Sequence, residues 1–67
     1  MKFAENLKTF RLMNNLLQSD IASKLSIHQS NVSDWENGVT RPEYENLIAL
    51  ADIFDVSLDE LLGRNFN

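Results

Sequence analysis

Gln29, Ser30, Ser33, Asp34 and Asn37 lie close together in the chain and share one kind of chemistry. Each is short or planar and exchanges hydrogen bonds, and none is apolar. On a helix of 3.6 residues per turn they occupy one face, able to recognise a polar surface but not to break bonds. The other reactive-looking group is the carboxylate set Asp52, Asp55, Asp59 and Glu60. No histidine or nucleophile accompanies it, so it reads as a solvated acidic flank and no enzyme is expected. His28 is the only histidine, and there is no cysteine, hence no disulfide, thiolate ligand or cysteine nucleophile. No metal and no cofactor are expected.

The elements that must position these residues are helical. Only two glycines and one proline punctuate the 67 residues, and hydrophobic residues make up 43%, enough for a core. Phe3, Leu7 and Phe10 recur at i, i+4 and i+7, predicting a helix over residues 3–14, with Asn15 suited to a left-handed turn after it. A second helix over 18–25 carries Ile21, Ala22 and Leu25 on one face. A third over 29–37 turns Val32 and Trp35 inward and closes at Gly38. Pro42 sits where a helix can begin, its missing N–H costing nothing there, and a fourth helix follows over about 43–54, whose Leu47, Leu50, Ala51 and Phe54 recur at helical spacing. Ser57-Leu58-Asp59-Glu60 is a capping box, with Val56 and Leu61 as its hydrophobic staple, so a fifth helix starts at Leu58 and stops near Gly63. No repeat or low-complexity tract is visible. The fold class is therefore all-α, a compact five-helix bundle in a single domain 1–67, with its core over 3–62 and a flexible tail over 63–67.

Helices two and three are joined by Ser26-Ile27-His28 alone, which forces them to cross steeply. A small residue is needed at the crossing, and Ala22 supplies it. This is the physical requirement of a helix-turn-helix, whose second helix projects and can enter a major groove.

The run Gln18, Ala22, Ile27, Val32, Trp35, Glu36, Gly38 and Pro42, continuing to Val56-Ser57-Leu58-Asp59-Glu60-Leu61-Leu62, resembles the phage Cro/repressor-type (XRE) helix-turn-helix family. Arg11 and the Asn37-Gly38 turn agree with it too. The resemblance implies a lambda-repressor-like bundle that binds double-stranded DNA operators as a homodimer, usually to repress transcription. It places Gln29, Ser30, Ser33 and Asp34 at base edges. A glutamine amide at position 29 can bond adenine N6 and N7 together, worth about 1–3 kcal/mol of discrimination. It places Gln18, His28, Asn31, Asn37, Thr40 and Arg41 at the DNA backbone, and makes Arg11 and Glu36 a structural ion pair. Dimerisation falls by resemblance on Leu58, Leu62 and Phe66. No small-molecule ligand and no membrane are expected.

Several positions depart from the family pattern. Leu17 and His28 stand where Ser or Thr usually caps helices two and three, a loss of ~1 kcal/mol at position 17. Ser26 occupies a turn position where Gly is usual, and Asp34 one where Gln, Lys or Arg is common. A carboxylate there can accept from cytosine N4 but repels phosphates. Leu12, Met13 and Leu17 are apolar where the pattern is polar, either as scattered exposed residues or as a contact patch.

The net charge of −4 stands against a DNA-binding reading at first count. It is unevenly placed, however. Residues 1–42 carry +1, whereas residues 43–67 carry −5, so the acid lies in the half placed away from the groove. Phosphate contact can then use helix N-termini, backbone N–H groups and neutral amides. The start Met1-Lys2-Phe3-Ala4-Glu5 lacks the apolar stretch of a signal peptide, and no apolar run approaches ~18 residues, so a cytoplasmic location is expected. Two alternatives stand beside the operator-binding regulator: a DNA-binding part of a longer repressor, and an antitoxin-like protein-interaction module.

Overall fold

The computed structural model describes residues 2–64. Five α-helices follow in order: α1 Phe3–Met13, α2 Gln18–Leu25, α3 Gln29–Glu36, α4 Tyr44–Phe54 and α5 Leu58–Leu62. There is no strand among the described residues. The core is Leu7, Ile21, Ala22, Val32, Trp35, Leu50, Ala51, Phe54 and Leu61, drawn from all five helices. Phe10 of α1 stacks on Phe54 of α4, ring centroids 5.8 Å apart, so α1 lies across the bundle. Phe66 and the other residues of 65–67 lie outside the described residues.

The helix ends follow local chemistry. Asn15 is left-handed, with φ 57°, and turns the chain out of α1. At α2 the Asp20 carboxylate accepts the Leu17 N–H at 2.7 Å, half of a capping box. Leu17 has no side-chain oxygen to return the favour. Pro42 does not occupy the first helical position. Glu43 is the N-cap and α4 begins at Tyr44, so Pro42 precedes the cap, where it is buried. Proline's fixed φ suits extended chain as well as a helix start. Here it lines the same two depressions as Trp35, a packing role rather than an initiating one.

The sequence has no repeat, but the backbone has one. The α2–α3 corner recurs at the α4–α5 corner with every position shifted by 29. Ile21 and Leu50 are fully buried, as are Val32 and Leu61, while Ala22 and Ala51 sit at matching crossings. Ser26 and Asp55 are both left-handed, with φ 58° and 55°. The following N–H, of Ile27 or Val56, closes onto the carbonyl of Ala22 or Ala51 at 3.0 Å in each case. This is the Schellman closure, in which a left-handed residue satisfies the last carbonyls of a helix. Only Ala22 and Ala51 are identical across these corners; the other positions buried in both share side-chain class alone, and the exposed ones differ.

Candidate nucleic-acid interface

α3 is held in place by a hydrogen-bonded chain that begins in the core. Arg11 on α1 is buried, and its Nε donates to Glu36 Oε2 at 2.6 Å while Nη2 donates to Oε1 at 3.1 Å. Such a bidentate, charge-assisted pair fixes orientation as well as distance. The remaining guanidinium nitrogen, Nη1, donates to the Leu16 carbonyl at 2.9 Å, so Arg11 also ties down the α1–α2 turn. The hydrogen bond to Glu36 holds the Arg11 pKa above its ordinary value, against an opposing effect of burial.

From the ion pair the chain runs outward. Gln18, the first residue of α2, donates through Nε2 to Glu36 Oε1 at 3.1 Å. Its other end, Oε1, accepts from Gln29 Nε2 at 3.3 Å. Gln29 opens α3 and is exposed. An exposed amide is thereby tethered through the Gln18 side chain to a buried ion pair. Preorganisation of this kind lowers the entropy lost when a partner engages the amide.

The rest of the α3 surface follows from the helical period. Val32 and Trp35 point inward, leaving Ser30 and Asn37 exposed and Ser33 and Asp34 half-buried. Asn37 caps the C-terminus and its Nδ2 donates to Ser33 Oγ at 3.3 Å. The Asp34 carbonyl accepts from the N–H groups of Val39 at 2.9 Å and Thr40 at 3.4 Å, folding the next loop against the helix. His28 occupies the N-cap without a side-chain cap bond, so it leaves the first-turn N–H groups to another acceptor. Asn31, Thr40 and Arg41 gather around a depression of about 350 Å³ floored by Trp35 and Pro42. Asn46 of α4 also lines it. That position gave no signal in the sequence, because it lies on a different helix from the motif.

Two other polar side chains shape the surroundings. Asn6 of α1 donates to the carbonyls of Glu60 and Leu61, at 3.4 and 3.3 Å, closing the C-terminal end of α5. Gly63 follows with φ 73°, and a Cβ there would lie 2.9 Å from Asn6 Nδ2. Leu58 is 39% exposed and Leu62 is half-buried. Leu12, Met13 and Leu17 are exposed. No group of potential metal ligands occurs among the described residues, and no helix there is long and apolar enough to cross a membrane.

A two-helix corner with a three-residue connection and a polar, internally tethered second helix defines a helix-turn-helix protein. The helix-turn-helix family model matches residues 7–61, and the chain belongs to that family, the XRE-type DNA-binding transcriptional regulators. The transcriptional activator BcrR of Enterococcus faecalis is 37% identical over 63 residues, covering 94% of this chain and 31% of the activator. The cryptic phage CTXphi transcriptional repressor RstR of Vibrio cholerae is 36% identical over 64 residues, 96% of this chain and 57% of the repressor. The crystal structure of a transcriptional regulator from Listeria innocua superposes with a TM-score of 0.90 at 37% identity, covering 97% of this chain and 61% of that one. The chain thus spans a third to a little over half of these two curated relatives.

Proposed function

We propose that this chain binds double-stranded DNA sequence-specifically as a homodimer, placing α3 in successive major grooves of a palindromic operator and repressing transcription. The observation that carries the reading is the Arg11–Glu36–Gln18–Gln29 chain, which presents an exposed amide from a rigid support. In this reading Gln29 bonds the N6 and N7 edge of adenine, and Ser30, Ser33 and Asp34 complete the base contacts. Gln18, His28, Asn31, Asn37, Thr40 and Arg41 hold the backbone. Repression follows the phage repressor among the relatives, although another relative is named as an activator. A dimer through Leu58 and Leu62 would set the two α3 helices about 34 Å apart, one helical turn of DNA.

Selection of bound duplexes from a random pool tests this directly. The expected result is a palindromic, adenine-containing motif that Gln29→Ala weakens at that position by about 1–3 kcal/mol. Failure to enrich any motif would overturn the reading. Leu62→Glu should give monomers with weakened operator affinity, as sedimentation and titration would show. The near-neutral charge of residues 1–42 further implies a shallow log–log salt dependence, on the order of −2 to −3. A slope as steep as that of a strongly basic repressor would contradict it.

A further inference from the structure

Asn37-Gly38 is the only Asn-Gly pair in the chain; every other asparagine that has a successor precedes Leu, Asn, Val or Phe. An asparagine side chain can be attacked at Cγ by the main-chain nitrogen of the next residue. A side chain on that residue obstructs the approach, and glycine removes the obstruction. Gly38 is exposed, and a Cβ built on it would meet nothing within 4 Å. Asn37 is exposed as well.

The native turn holds the reactants apart. With Asn37 at φ −91° and ψ 0°, the Gly38 nitrogen is turned away from Cγ, so reaction requires the last turn of α3 to open. Opening works against the Asn37 N–H bond to the Ser33 carbonyl at 3.0 Å and the Val39 N–H bond to the Asp34 carbonyl at 2.9 Å, but the two bonds on the reacting groups themselves are long. Gly38 N–H donates to the Trp35 carbonyl at 3.3 Å, and Asn37 Nδ2 donates to Ser33 Oγ, also at 3.3 Å. Exposed bonds at a helix end are among the first to open.

We propose that Asn37-Gly38 is a self-modification site, where loss of the Asn37 amide places a carboxylate on the α3 surface and weakens DNA binding. The Gly38 main-chain nitrogen gives its proton to hydroxide and attacks Cγ of Asn37. The new N–C bond forms, the Cγ–Nδ2 bond breaks, and Nδ2 takes up a proton from water and leaves as ammonia. Water then opens the five-membered imide at one carbonyl or the other, giving aspartate or isoaspartate. No electron is transferred, and the only co-reactant is water. The new charge takes residues 1–42 from +1 to zero. Isoaspartate also inserts a methylene into the main chain, just before the loop held by the Asp34 carbonyl. The effect on DNA binding rests on α3 being the groove helix, whereas the chemistry does not.

Ageing the full chain at mildly alkaline and mildly acidic pH tests both parts, with peptide mapping by mass spectrometry at each asparagine. Conversion should appear first at Asn37, rise with hydroxide concentration and yield isoaspartate together with aspartate. Affinity for a duplex recovered from the random pool should fall in step, by roughly tenfold at full conversion, and Asn37→Asp should show a similar loss. Asn37→Gln, whose longer side chain cannot close the five-membered ring, should keep its mass on ageing and lose none of its own starting affinity, even where that lies below the wild-type value. An Asn37 amide that lasts as long as that of Asn46 overturns the modification site. Converted protein that binds like fresh protein overturns the weakening. A fresh chain that selects no duplex overturns the groove reading and the weakening with it, while the mass readout still decides the chemistry.

Discussion

The α2–α3 and α4–α5 corners share a backbone but differ in where their restraint comes from. The second corner closes on itself. Ser57 Oγ accepts the Glu60 N–H at 3.0 Å, the Glu60 carboxylate accepts the Ser57 N–H at 3.1 Å, and Asn6 covers the far end. The first corner has no such closure at α3, because His28 supplies no cap bond. Its position is set from outside, by Arg11 through Glu36 and Gln18. Where the second corner has Leu58, Asp59 and Leu62, the first has Gln29, Ser30 and Ser33. The corner geometry is generic, and function enters through what its side chains are left free to do. With its terminal donors open, α3 takes its orientation from Arg11, Glu36 and Gln18.

Removing the outside support should break the comparison most severely. Glu36→Ala leaves the Arg11 guanidinium buried without its charge partner, and such a break costs about 3–5 kcal/mol. A small protein has little more than that to lose, so urea denaturation should show a largely unfolded variant. Pairing Arg11→Met with Glu36→Leu should recover most of the stability, since a buried pair gains little over packed apolar groups. The double variant nonetheless lacks the acceptor for Gln18, so it should fold and still bind the selected duplex more weakly. Equal affinity for wild type and double variant would show that Gln29 needs no tether. Because the Arg11 pKa is raised, its share of the pairing energy is fully present at neutral pH. That share is lost only as pH climbs through the strongly alkaline folded-state value.

The restraint of the second corner was largely legible in the sequence, and that of the first only in part. Ser57 and Glu60 are three residues apart, and their interaction is local. The chain through Glu36 joins residues 25 and 18 positions apart, which periodicity does not report. Arg11 and Glu36 were matched by resemblance, and the α2 boundaries follow directly from Gln18 and Leu25. The links from Gln18 to Glu36 and to Gln29, and the Asn6 clasp on α5, arise from packing between helices. Pro42 shows the reverse limit, a strong local signal compatible with two roles until packing against the Trp35 side chooses one. The repeated corner is faint in the sequence because burial and backbone handedness recur while residue identity does not.

Exchanging the caps probes the comparison at a smaller scale. Ser57→Ala should cost about 1 kcal/mol, because it strips the one side-chain oxygen that caps α5. His28→Ala at the matching position should change stability by less than about 0.5 kcal/mol, there being no cap bond to lose. His28→Ser should add about 1 kcal/mol by supplying the missing acceptor. The added stability would come with a cost in function if phosphate uses the same N–H groups, because the serine would compete for them. Thermal melts and titrations on the three variants check this; a loss for His28→Ala equal to that of Ser57→Ala would erase the distinction.

The smallest expected effect lies where the corners are alike. Ser26 and Asp55 both sit at positive φ, where an L-residue bears a strain of roughly 1–2 kcal/mol. Glycine removes that strain but gives the unfolded chain more freedom, offsetting it by roughly 0.5–1 kcal/mol. Ser26→Gly and Asp55→Gly should therefore each stabilise by about 0.5 kcal/mol, and by similar amounts, since backbone strain is blind to what the corner does. The substitutions should also add, because the two turns carry no hydrogen bond to one another among the described residues. Unequal effects would mean that one turn carries strain the other lacks. The two corners would then differ in their backbones, and the division of labour assigned here to side chains would have to be shared with the main chain.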